Sequence, residues 1–127
     1  MNISFRGKQV DSGEWYHGFY VRGRHGEHYI LSEYNGLATN AYSVDGETVG
    51  QYTGQNDACA AEIFDKDILQ DENGNVGMVF WNKKELAWMM NVPRYGNLWL
   101  ASDSLSLRIV GNAHDNPEFL EKAAKTA

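Results

Sequence analysis

Along most of its length the chain alternates apolar and polar residues with a period of two. The runs are too short for a helix and are closed by turn residues. That period puts successive side chains on opposite faces of an extended backbone, so it calls for strands buried on one side. Ile3 and Phe5 alternate with Ser4, Arg6 and Lys8. Trp15, His17, Phe19 and Val21 alternate with Glu14, Tyr16, Tyr20 and Arg22. Between the two runs, Asp11-Ser12-Gly13 reads as a hairpin connection. Arg22 to Gly26 (RGRHG) is a second turn, His28 to Leu31 a third strand, and Asn35-Gly36 breaks the pattern. The first half is a meander of short strands.

The second half repeats the style. Ile63 to Leu69 reads as extended and runs into Asp71-Glu72-Asn73-Gly74, a strong turn signal. Val76 to Trp81 (VGMVFW) is apolar on both faces, as a central strand requires. Leu86, Trp88, Met90 and Val92 share one face of the next strand, which Pro93 closes by removing a ladder donor. Leu98 to Leu100 and Leu105 to Val110 complete the β region, with Leu105, Leu107 and Ile109 inward. The pattern changes at HDNPEFLEKAAKTA. Asn116 is a good N-cap, Pro117 suits the first helical position, and Glu118 favours the positive dipole end. A helix from Pro117 would dock through Phe119, Leu120 and Ala123, and Ala58 to Ile63 allows one helical turn. The fold class is mainly β, a β-rich α+β chain with a C-terminal helix, in one domain over residues 1–127.

The stretch VDGETVGQYTG (Val44 to Gly54) has glycines four apart, followed by Gln55 and Asn56. A phosphate loop needs Lys and Ser/Thr after its last glycine and a helix beyond it, and neither is present. The stretch reads as a turn at Val44-Asp45-Gly46, an extended piece from Thr48 to Tyr52, and a second turn at Thr53-Gly54.

Four separated pieces carry a resemblance. They are FRGK (Phe5 to Lys8) with DSGEWYHG (Asp11 to Gly18), the VDGETVGQYTG stretch, EIFDKDIL (Glu62 to Leu69) and VGNAHDNPEFL (Val110 to Leu120). Together, and in this order, they resemble the YopX-like family of small phage and prophage proteins. That family reads V-D-P-E-T-V-G-Q-Y-T-G in the second piece, E-I-Y-E-G-D-I-V in the third and V-I-G-N-I-x-E-N-P-E-L-L in the fourth. Here Gly46 stands for the usual proline. Lys66 stands for the usual glycine, so its backbone must avoid positive φ or accept strain. The resemblance implies a β-rich fold with an SH3-like barrel portion; it implies no catalytic residues.

Function has to be read from composition and isolated groups. A length of 127 residues with 43% hydrophobic side chains supports one modest core. The lack of any run of about 18 apolar residues argues against a membrane span. One cysteine, Cys59, rules out an intrachain disulfide framework and suits a reducing cytoplasm, which the resemblance to a phage family implies is that of a host bacterial cell. A net charge of −6 argues against direct nucleic-acid binding.

HGEH (His25 to His28) offers two imidazoles at a spacing of three, which falls short of a zinc set, so these read as exposed turn residues. Cys59, flanked by alanines, reads as a small packed residue. Asp65 and Asp67, on one face of a strand, are better suited to bonding backbone amides than to acid–base work. No catalytic, metal or cofactor site is expected. Two binding surfaces compete. Six acids between Asp57 and Glu72 face one base, and Asp57, Asp71 and Glu72 are candidates for an acidic patch imitating nucleic-acid phosphates, as an anti-defence inhibitor would use. Trp15, Trp81 and Trp88 fit the core, whereas Met89, Tyr95 and Trp99 fall outside it, and interfaces are enriched in such residues. The expected function is a non-catalytic phage or prophage accessory protein that binds a host or phage macromolecule, with a protein the favoured partner. The acidic anti-defence inhibitor is the alternative, a small metal- or thiol-dependent enzyme the second alternative, and self-association another use of the aromatic surface.

Overall fold

The computed structural model describes residues 4–34, 37–100 and 106–126. The chain divides into two compact units, Met1–Tyr52 and Thr53–Ala127.

In the first unit, β1 (Phe5–Lys8), β2 (Trp15–Arg22), β3 (His28–Tyr34) and β4 (Leu37–Ser43) form the antiparallel meander that alternation requires. The order is β4-β3-β2-β1, and the start of β5 (Gly50–Asn56) pairs β1 through Phe5↔Gln51 and Arg6↔Gly50. The packed face of β2 is the one the alternation made outward. Gly18 is buried, and Tyr16 and Tyr20 are half-buried, whereas Phe19 and Val21 remain about 40% exposed. Tyr16 stacks on Tyr42 with centroids 3.8 Å apart, and Tyr20 packs against Phe5 and His28. Side chains with a polar tip can pack this way because the ring is buried while the hydroxyl finds a partner. Trp15 is half-buried, with the Arg6 guanidinium 4.8 Å from its ring centroid. The Asn35-Gly36 break and Ile3 lie outside the described residues.

The glycine-spaced stretch ties the meander together. Gly46–Thr48 is a 3-10 turn whose Asp45 side chain accepts from Glu47 N at 3.0 Å. Lys8 N donates to Thr48 Oγ1 at 2.8 Å and Asp45 N donates to Lys8 O at 2.9 Å. Val44 N donates to His28 O at 3.0 Å. These bonds tie the exit of β4 to the start of β3 and the end of β1. Thr53-Gly54 is not a second turn. It lies inside β5, with Gly54 at φ 86°.

The second unit holds β6 (Glu62–Phe64), β7 (Asp67–Gln70), β8 (Val76–Asn82), β9 (Ala87–Val92), β10 (Gly96–Trp99), β11 (Arg108–Asn112) and the helix α1 (Pro117–Thr126). Its antiparallel sheet has the order β10-β9-β8-β7-β11, so the doubly apolar VGMVFW segment is central, as its composition demands. The core collects Ile63, Leu69, Val79, Met90, Val92, Leu100 and Leu107. Helix α1 starts at Pro117, and Phe119, Leu120 and Ala123 are its half-buried residues. The Asn116 side chain is turned upstream, where its Oδ1 accepts from Asn112 N at 3.3 Å.

Three local readings are corrected. Ile63 to Leu69 is two strands joined at Asp65-Lys66, because Lys66 takes φ 71° and breaks the extended run. Ala58 to Ile63 forms no helical turn; Asp57 folds it into a tight loop leading into β6. Leu86 sits in the β8–β9 turn at φ 52°, 74% exposed, rather than on the inward face. Leu105 lies outside the described residues. Among the described residues no helix is long and apolar enough to cross a membrane.

Candidate functional site

The acids between Asp57 and Glu72 do not form one surface. Asp57 is buried, 5% exposed, and works as a backbone clamp. Its Oδ1 accepts from Cys59 N and Ala61 N, both at 2.9 Å, and its Oδ2 accepts from Ile109 N at 3.0 Å. Burial alone would push this carboxyl up. The amides of Ile109, Ala61 and Cys59 and the charge of Arg108 outweigh it and hold it below the usual carboxylate range. Asp67 is 1% exposed and accepts from Phe64 N at 2.7 Å, so it closes the turn between β6 and β7 rather than sharing a strand face with Asp65. Asp71 is half-buried. It accepts from Asn73 N and Asn75 N at 2.9 Å and from Asn75 Nδ2 at 3.0 Å. Burial again opposes ionisation, and the Asn75 side chain with the turn amides wins, lowering its pKa. Of the predicted acidic site only Glu72 is simply exposed.

His28 and Cys59 also depart from their expected places. His25 is exposed in its turn, but His28 belongs to β3, half-buried, with Nδ1 2.6 Å from the Tyr20 hydroxyl. The backbone register, invisible to a motif search, separates the two. Cys59 is exposed rather than packed, because Asp57 turns its loop outward. Among the described residues no group of three His, Cys, Asp or Glu side chains is placed to hold a metal ion.

The aromatic candidates fare differently. In an antiparallel ladder, directly opposed residues share a face. Trp99 opposes Met89, which opposes Phe80, and the next row on that face is Asn97, Asn91 and Met78. Leu98, Met90 and Val79 lie on the other face, beside the row of Trp88 and Trp81. Both faces carry buried side chains, so Met89 (5% exposed) is buried as well as Met90, contrary to its reading as a surface residue. Trp81, expected in the core, is 43% exposed and meets Trp88 edge-on, with centroids 5.3 Å apart. Tyr95 and Trp99 stand where the sequence put them, 72% and 49% exposed.

Leu98, which sequence reasoning missed, joins them at 41%. All four residues of β10 are exposed, and Tyr95 tops the turn leading into it, with Tyr95 N donating to Val92 O at 3.0 Å. Arg94 is the only charged residue from Leu86 to Leu100.

The two margins of this sheet differ. At the β11 margin, Ala58 N donates to Leu107 O at 2.8 Å and Ile109 N is taken by the Asp57 carboxylate. A register shift between Ile109 and Gly111 further disrupts the strand. At the other margin β10 ends the ladder order, and its sequence GNLW has no charge, no proline and no bulge. Proteins ordinarily protect a free edge with one of those devices. The candidate site is the edge of the β9–β10 hairpin, presenting Tyr95 at the turn, Trp99 on one face and Leu98 on the other.

The chain matches the family model described as YopX protein over residues 4–121, nearly its whole length. No curated protein matches it closely enough to serve as a relative.

Proposed function

The chain belongs to the YopX protein family, and from that premise we propose that it is a non-catalytic accessory protein that binds a protein partner through the β9–β10 hairpin. One observation carries the reading. The strand β10 keeps a tryptophan and a leucine 49% and 41% exposed, with Tyr95 at its entrance, and no charged side chain within the strand guards them. Large rigid apolar side chains left in water at a strand margin have little to gain there unless a second surface covers them, and Trp and Tyr are enriched among residues that dominate binding. A phage or host protein in the bacterial cytoplasm is the partner the family resemblance favours.

The acidic alternative has less support. Mimicry of phosphates needs carboxylates free to face a basic partner, whereas Asp57, Asp67 and Asp71 hold backbone amides in place. Capture from lysate, compared between variants, separates the two. Trp99→Ala and Leu98→Ala are expected to lose the captured partner while Glu72→Lys retains it. Loss on Glu72→Lys together with steep salt sensitivity, and retention on Trp99→Ala, would overturn the reading.

A further inference from the structure

We propose that the edge of β10, unpaired among the described residues, pairs antiparallel with β10 of a second copy about a two-fold axis at Leu98, and that the pair, rather than the single chain, presents the complete aromatic surface. The inference rests on the reading of the hairpin as the binding surface, and it adds what covers the edge and what the partner copy contributes.

Three features point to a second copy. The first is register. Two-fold antiparallel pairing keeps each side chain on its own face only if the axis passes at a residue. With the axis at Leu98, Leu98 meets its own copy on one face, while Trp99 meets Asn97 of the other chain on the opposite face. Each large ring is thereby set against a small polar side chain. An axis at Asn97 would instead draw Tyr95 into the ladder, although its amide is already committed to Val92 O inside the turn.

The second is charge. A chain of net charge −6 repels its copy, so self-association needs a stretch without acids. Leu86 to Leu100 contains none, and its single base, Arg94, stands four residues from the axis. The two Arg94 positions are then about eight residues apart along the ladder, roughly 27 Å, more than three Debye lengths of about 8 Å at physiological salt.

The third is the contrast between margins. The Asp57 carboxylate and the Ala58 amide occupy the outward groups at β11. Nothing among the described residues does so at β10.

The geometry has a consequence for the site. Trp99 of one copy becomes the diagonal neighbour of Trp99 of the other, roughly 7–8 Å away across the ladder, with Met89 of each chain beside its own Trp99. Two tryptophans side by side offer about twice the apolar area that one chain can show. The ladder is short, so association is weak and concentration-dependent.

Sedimentation of the purified full chain from about 10 to about 500 μM reads this directly, as a range spanning weak interfaces. The mass is expected to rise from 14.3 kDa toward twice that value. Hydrogen exchange at Gly96 to Trp99 should slow several-fold over the same range. Leu98→Lys, which sets two ammonium groups against each other at the axis, should hold the mass at 14.3 kDa with the circular dichroism unchanged. Tyr95→Ser, outside the ladder, should leave the rise intact. A monomer at every concentration overturns the proposal, as does a dimer that persists in folded Leu98→Lys. Should Leu98→Lys fail to fold, wild-type exchange decides: β10 amides that do not slow as the mass rises overturn it. A chain that stays monomeric yet loses its captured partner on Trp99→Ala sinks the pairing and leaves the binding role standing. A dimer whose partner capture ignores Trp99→Ala does the reverse.

Discussion

Replacing Asp57 by alanine removes a carboxylate that serves three backbone amides at once. Two of them, Cys59 N and Ala61 N, belong to exposed residues, so water replaces the lost oxygen there at little net expense. The third, Ile109 N, is on a half-buried strand residue and has no such substitute. Hydrogen bonds to an ionised group contribute about 1.5–3 kcal/mol each, and an abandoned buried donor costs about 1–3 kcal/mol. One full loss at Ile109 and two discounted ones give about 3 kcal/mol, a large part of the 5–15 kcal/mol that holds a typical domain together. With a urea slope of about 1.5 kcal/mol per molar, the midpoint should fall by about 2 M. Asp57→Asn keeps one acceptor oxygen and should lose roughly half as much. The pH dependence has a definite sign. Because the folded pKa of Asp57 is depressed, its stabilisation is fully present above the unfolded carboxyl value of about 3.9 and disappears as pH falls below it. Urea titrations at neutral pH and near pH 3 should therefore show the gap between wild type and Asp57→Ala closing in acid. A midpoint within about 0.3 M of wild type at neutral pH, a loss of about 0.5 kcal/mol or less at that slope, would refute the clamp and return Asp57 to the list of surface acids.

Gly18→Ala should be the most damaging small change, since a Cβ there would lie 2.0 Å from the Leu31 carbonyl oxygen; thermal melting should show loss of the first unit's cooperative transition, and a melting point within about 2 °C of wild type, a fraction of a kcal/mol for a chain this size, would contradict it. Lys66→Gly should raise stability by about 0.5 kcal/mol, the left-handed strain of about 1–2 kcal/mol relieved less the 0.5–1 kcal/mol of added chain entropy; a urea midpoint that falls would show the φ of 71° to be unstrained. Gly46→Pro, which restores the proline of the resembling family, should destabilise this chain by about 1 kcal/mol or more, because even a Cβ at that position meets His28 Nε2 at 2.3 Å; adding His28→Ala should recover most of the loss, and a double variant no better than the single would sever the link.

How much of this was legible in the sequence depended on what each residue's signal could encode. Strand existence followed from period two, and the central place of β8 from apolar residues on both faces. The same period misjudged Met89, since in a sheet with buried side chains on both faces alternation stops distinguishing inside from outside. It also assigned β2 to the wrong face, because the packing side there is made of tyrosines and a glycine rather than aliphatics. Asp57 was unreadable for a different reason. One of its three donors, Ile109, is 52 residues away, and nothing local marks an acid as having a distant amide to hold. Trp99 and Tyr95 were placed correctly as exposed, whereas Leu98 was invisible because an aliphatic in a strand is ordinarily core.

The Asp57 clamp also decides what kind of assembly the second unit's sheet can enter. A sheet with two open margins adds neighbours at both and grows without limit, the geometry of a fibre. Here one margin is occupied by a carboxylate and a loop of the same chain, so an extended segment added at β10 uses up the only vacancy among the described residues. Pairing at β10, as proposed above, would therefore stop at two chains. In that proposed pair Asp57 would act as a chain terminator in the polymer sense, and a variant that frees the β11 margin while leaving the fold intact is expected to turn the pair into a propagating aggregate.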